Sequence, residues 1–205
     1  CFMQKKNIVR LAQLALLSAI VWLMAFTPIG YLKTAGLEIT FIMIPVIIGA
    51  IVLGPADGAI LGLEWGATSF IQCFGISAFG TTLFSLNPVW TFIVCVVPRV
   101  LAGWIPGLMF RALQPHDRTA GQVASCVGSA LVGTLSNTVL FMSLLMLFFG
   151  QSDLIASLQQ QLNTPNAFLF VLAFVGINGV VEIVTASIVA PAVAIAVRRA
   201  LRHLE

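Results

Sequence analysis

Long, almost purely apolar stretches fill most of this chain, and each is bounded by proline, glycine or a small charged cluster. A helix of such residues closes its own backbone hydrogen bonds and presents hydrocarbon all round, which suits lipid and no aqueous fold. Hydrophobic residues make up 60% of the 205 positions and charged ones 8%, against roughly a quarter charged in soluble domains. Too few polar residues exist to cover a soluble surface. At roughly 20 apolar residues per crossing, the length allows about six or seven spans and little else.

The breakers divide the chain into spans at 8–26, 39–53, 59–74, 89–113, 123–149 and 167–197, forming one all-α membrane domain of six transmembrane helices over 1–205. Gly54-Pro55-Ala56-Asp57-Gly58 is a turn sequence, Pro98 and Pro106 are expected to break the fourth span, and 74–88 and 150–166 read as polar loops. The first span is expected to be retained rather than cleaved, because further spans follow it. Lys5, Lys6, Arg10, Arg111, Arg118, Arg198, Arg199 and Arg202 fall on one side, and the opposite loops hold only Lys33. The positive-inside rule then places both termini in the cytoplasm. The net charge of +3 is spread through these clusters, so it reports topology rather than a nucleic-acid partner. Trp22 and Trp90 fall near the outer interface, where belt anchoring is their ordinary role.

Gly54, Gly58, Gly62 and Gly66 recur every four residues, as do Gly121, Ser125, Ser129 and Gly133. Such stripes let helix backbones approach closely in lipid. Ala15 and Ala19 are a lighter pair on the first span, suited to an internal neighbour or to an external partner.

Glu64, Arg99 and Glu182 lie inside apolar runs, where a charge is costly unless it is paired or functional. Depth counting sets Arg99, Asn137, Asn178 and Glu182 at similar heights on three helices. Two readings stand open: a ligand pocket in which Arg99 meets a carboxylate and the asparagines meet amide or hydroxyl groups, or an internal pair of Arg99 with Glu64 or Glu182. Gln72 opens a glycine- and aromatic-rich outward segment with the character of a lid, and ordinary loop packing is its alternative. Cys1, Cys73, Cys95 and Cys126 are widely separated, with neither disulfide nor metal-ligand spacing; Cys1 in first position admits lipidation, and Leu204-Glu205 has the look of a cloning scar. There is no phosphate-binding loop, nucleophile elbow or zinc motif, so neither ATP hydrolysis nor any other enzymatic activity is expected, and no cofactor.

Thr40 to Pro55, with Ile44-Pro45 and Leu53-Gly54-Pro55, continuing through Gly58-Ala59-Ile60-Leu61-Gly62, resembles the second-to-third-helix signature of the S components of energy-coupling factor (ECF) transporters. The resemblance implies the six-helix S-component fold and a bacterial cytoplasmic membrane. It also implies a vitamin ligand, delivered by toppling of the chain in the bilayer. It assigns Ala15 and Ala19 to docking on a transmembrane coupling subunit, which two cytoplasmic ATPases drive, and so accounts for the missing phosphate loop. Thr68 to Gly75, Asn87-Pro88 and Val97-Pro98-Arg99-Val100-Leu101-Ala102-Gly103 are similar to members assigned to pantothenate uptake, although related members carry riboflavin, cobalamin or pyridoxine-type ligands. On that likeness the substrate-binding set is Arg99, Asn137, Asn178, Glu182, Gln72 and Trp90. Glu64 departs from the small or apolar residue expected at its position. An ion-coupled transporter using Glu64 or Glu182, and a membrane scaffold, are the rival classes.

Overall fold

The computed structural model describes residues 2–28, 30–33, 38–113, 119–164 and 166–202. Helix α1 (Phe2–Ala25) stops ahead of Thr27-Pro28, and a short antiparallel hairpin follows, β1 (Tyr31–Lys33) against β2 (Glu38–Thr40), with Tyr31 opposite Thr40. The second apolar run does not form the full-length span expected at 39–53. Its first residues belong to the hairpin, and α2 (Met43–Val52) is only 10 residues long. Pro45 suits the late start, because the first helical turn is where a proline's missing N–H costs nothing. At 1.5 Å per residue α2 measures about 15 Å, half of a hydrocarbon layer of about 30 Å. It is apolar on every face, and Met43 and Pro45 to Ile51 are buried, as befits a helix enclosed by others.

Gly54 turns the chain with φ +116°, a conformation few side chains accept, and any Cβ there would meet the Arg111 guanidinium. Pro55 then opens α3 (Pro55–Gln72) at its first position. The segment expected to be loop at 74–88 instead contains α4 (Ala78–Leu86), whose Ser77 cap accepts the Gly80 N–H. Asn87 caps α5 (Pro88–Leu113), its Oδ1 accepting the N–H groups of Val89 and Trp90 at 3.0 and 3.1 Å. Pro98 and Pro106 do not break α5, which continues through both. After α6 (Thr119–Phe149), the supposed polar loop at 150–166 includes α7 (Asp153–Gln161), capped by Ser152. The interruption falls instead in α8 (Ala167–Arg202), where Gly176 leaves helical geometry.

Contacts fix the helix directions. Along α1 and α3, Arg10 meets Asp57, Ser18 meets Glu64 and the Ala25 carbonyl meets Gln72, so these two helices run parallel. Helix α5 runs against α3: a Cβ at Gly58 would strike the Gly103 carbonyl, one at Gly62 the Arg99 carbonyl, and one at Gly66 the Val96 Cα. The glycine stripe of α3 is therefore the surface that brings α5 into backbone contact. Helix α6 runs against α5, with Gly133 on Pro106, Phe141 beside Arg99, and Phe148 stacked on Trp90. Arg10, Arg111 and Arg198 gather at the end that holds the α2–α3 turn, Arg111 against Gly54 and Arg198 toward the Ile51 carbonyl.

Two apolar cores result. One surrounds α2 and includes Val21, Ile47, Leu61, Trp65, Cys126, Ala186 and Ala190; the other, toward the opposite end, includes Leu83, Val94, Met142, Leu145, Ile155 and Phe170. The polar residues of interest lie between them.

Candidate functional site

Arg99 sits on α5 directly after Pro98, and that neighbour determines what its side chain does. Proline has no N–H to give the carbonyl four residues back, so the Val94 oxygen loses its usual helical partner. The Arg99 Nη1 donates to that oxygen at 2.7 Å. The guanidinium lies 4.7 Å from the Phe141 ring centroid on α6 and 5.5 Å from that of Trp65 on α3, within reach of both as cation–π partners. Since Trp65 belongs to one core and Phe141 packs on the other, the charge occupies the seam between them. Its Nε is buried without a hydrogen-bond partner.

Neither internal ion pair open from the sequence is formed by Arg99 among the described residues. Glu64 turns to α1 and accepts the Ser18 hydroxyl at 2.9 Å, its second oxygen buried and unpartnered. Glu182 on α8 accepts the Thr40 backbone N–H at 2.7 Å, which ties the hairpin to the last helix.

Asn137 on α6 is 8% exposed, and its Oδ1 has no partner. It stands one turn before Phe141, on the same helix face. Trp65 is 1% exposed with its indole N–H likewise unpartnered. An orphaned donor or acceptor in an apolar interior costs about 1–3 kcal/mol. Here a guanidinium N–H, an indole N–H and an amide oxygen are left open around one seam. Together they offer positive charge, two donors and an acceptor against aromatic walls, a combination that fits a small anion carrying further polar groups.

The other expected site residues are placed differently. Gln72 is the last residue of α3, buried rather than looped out, and its Nε2 donates to the Ala25 carbonyl at 2.5 Å. Trp90 stacks on Phe148 with centroids 4.1 Å apart and stays partly exposed. Asn178 follows the break at Gly176 on α8; its side chain lies outside the described residues. Ala15 and Ala19 are both exposed on α1, so neither serves an internal helix contact. Sequence reading missed Trp65, Phe141 and the hairpin N–H of Thr40. For Trp65 a signal existed, since it lies far from either end of its apolar run; Phe141 looks like any other core phenylalanine.

The family model for the ECF transporter, substrate-specific component, matches residues 9–194. A pantothenic acid transporter, PanT, from Lactococcus lactis subsp. cremoris (strain MG1363) is similar to the chain, 33% identical over 170 residues that cover 78% of each sequence.

Proposed function

The chain belongs to the family of ECF transporter substrate-specific components, and from that membership we propose that it captures pantothenate. A member of this family is a multi-pass membrane protein that binds substrate and associates with an ECF module; it is a transport subunit, not an enzyme. Pantothenate is a carboxylate with an amide and two hydroxyls. In this reading Arg99 takes the carboxylate, Asn137 and Asn178 take the amide and hydroxyls, and Trp65 and Phe141 wall the pocket. Glu182, held by Thr40, sets the charge balance beside Arg99, while Gln72 and Trp90 brace the outer ends of α3 and α5.

The observation that carries the proposal is the Arg99 guanidinium, buried at Nε with no partner and set between two aromatic rings, in a chain similar to a pantothenic acid transporter. The chain lies in the bacterial cytoplasmic membrane and crosses it six times with both termini inside. The alternating helix directions and the shared end of Arg10, Arg111 and Arg198 support that count. Through the exposed Ala15 and Ala19 face of α1 it docks on a transmembrane coupling subunit driven by two ATPases, and toppling of the docked chain delivers the ligand.

Equilibrium binding of labelled pantothenate to the purified chain in detergent tests the ligand, with riboflavin, cobalamin and pyridoxine as competitors. Saturable binding that only pantothenate displaces is expected. Displacement by one of the others reassigns the substrate, and accumulation by the chain alone under a proton gradient would replace the module-driven mechanism with an ion-coupled one.

A further inference from the structure

Two cysteines that sequence spacing leaves unrelated come together in the fold. Cys73, at the C-terminus of α3, and Cys95, on α5, place their sulfurs 3.9 Å apart, with the residues 3% and 7% exposed. Cys73 is fixed from three sides. Its backbone N–H closes the helix onto Phe70, its thiol donates to the Ser69 carbonyl, and the start of α4 packs so closely that a Cβ at Gly80 would reach its sulfur. Beyond it, Phe74, Gly75 and Ile76 are exposed, so the pair lies just beneath the molecular surface at the end opposite Arg10, Arg111 and Arg198. Cys95 precedes Arg99 by four residues, one helical turn, and Arg99 lies within electrostatic reach of both sulfurs. Cys126 is buried elsewhere, on α6 among Ala130, Ala186 and Ala190.

We propose that Cys73 and Cys95 are an oxidisable pair, which a small apolar disulfide converts to an intramolecular disulfide stapling the outer end of α3 to the Arg99 wall of α5. One cysteine sulfur attacks the small disulfide, forming a mixed disulfide and releasing one small thiol. The second cysteine sulfur then attacks the protein sulfur of that mixed disulfide and releases the second small thiol. The protein loses two electrons and two protons, and the oxidant gains both. The sulfurs close from 3.9 Å to about 2.05 Å, a shift within the reach of a helix terminus. The staple binds the turn at Cys73 to the helix segment one turn from Arg99, so substrate exchange is arrested. This consequence rests on the transport reading above; the bond itself does not.

Dithiodipyridine, an apolar aromatic disulfide, is the probe, applied to the complex with its coupling module in proteoliposomes. Peptide mapping should find Cys73 joined to Cys95 without adduct, and labelled pantothenate uptake should fall at least tenfold and return on reduction. In Cys73→Ala and Cys95→Ala variants the reagent should leave uptake unchanged. Absence of the cross-linked peptide, or its formation with uptake undiminished, overturns the proposal, as does equal inhibition of the alanine variants. If the untreated complex takes up no pantothenate, the transport reading fails, and the peptide map still decides the pair.

Discussion

At the scale of single residues, Arg99 has two tasks that pull on the same guanidinium: it closes the carbonyl that Pro98 leaves open on Val94, and it presents its remaining charge to the seam. Losing a hydrogen bond to a charged group costs about 1.5–3 kcal/mol, or roughly tenfold to a hundredfold in affinity. Arg99→Ala is expected to weaken pantothenate binding by at least that factor while the chain still purifies as a folded monodisperse species. Arg99→Lys should recover only part, because an ammonium cannot bridge the Val94 carbonyl and a carboxylate with one planar fork. Wild-type affinity in the alanine variant would leave Arg99 a purely structural role. Glu182→Gln separates charge from shape: an amide oxygen still accepts the Thr40 N–H, but the negative charge competing for Arg99 is gone. Titration should show an anionic ligand binding more tightly to this variant. Weaker binding would instead place the Glu182 carboxylate on the ligand's polar groups.

At the scale of elements, the decisive contacts are those of α3 with its two neighbours. Toward α5 the contact is backbone on backbone, and Gly62 lies against the Arg99 carbonyl itself. Gly62→Leu would force the helices apart at a cost of about 1–3 kcal/mol, lower the melting temperature in detergent and displace Arg99 from its aromatic neighbours. A variant that melts like the wild type would show that the helices are not in this register. Toward α1 the contact is a ladder of polar rungs, one every two turns: Arg10 with Asp57, Ser18 with Glu64, Gln72 with the Ala25 carbonyl. The Arg10 rung is bidentate, at 2.6 and 2.8 Å, with Asp57 almost wholly buried. Three rungs over this length prevent sliding, so α1 and α3 should move as one body. A Ser18→Cys/Glu64→Cys variant that also carries Cys73→Ala and Cys95→Ala can be assayed reduced and then oxidised across the new pair. Uptake in the two states should agree, whereas arrest only on oxidation would mean that α1 shifts against α3 during transport.

At the scale of the whole molecule, the α1 face opposite this ladder carries Ala15 and Ala19, flanked by exposed Leu11, Leu16 and Leu23. Small residues between bulky ones make a groove for a partner helix in lipid. Changing Ala15 and Ala19 to Trp should leave pantothenate affinity of the isolated chain unaltered but abolish co-purification with the coupling subunit and energised uptake. Persisting co-purification would move docking to another surface. Among the described residues, four helical stretches, 7–25, 88–113, 120–149 and 179–200, are long and apolar enough to cross a bilayer unaided. Helix α2 is too short to do so, and it crosses, in the six-span reading, only as part of an enclosed bundle. Accessibility reporters placed in the α2–α3 turn and near Asn87 should therefore label from opposite sides of the membrane; labelling from one side would remove the α3 crossing.

The lipid solvent, the approximate element order, the glycine stripe and the placing of Arg99 and Asn137 within the apolar bundle were all legible in the residues. Hydropathy, small-residue spacing and the cost of a charge in hydrocarbon are local properties, written where they act. The sequence could not show that Pro98, a breaker by local rules, leaves α5 whole, since what rescues the helix is the side chain of the next residue reaching back to Val94. Nor could it choose between Glu64 and Glu182 as mates for Arg99, because both choices satisfy charge balance. Only packing decides that Glu64 faces α1 and Glu182 the hairpin. The meeting of Cys73 with Cys95, and of Trp65 with Phe141 around Arg99, depends on helix directions and rotations that no single helix encodes. Local chemistry set which residues could not be idle; the close approach of α3, α5 and α6 decided what each one faces.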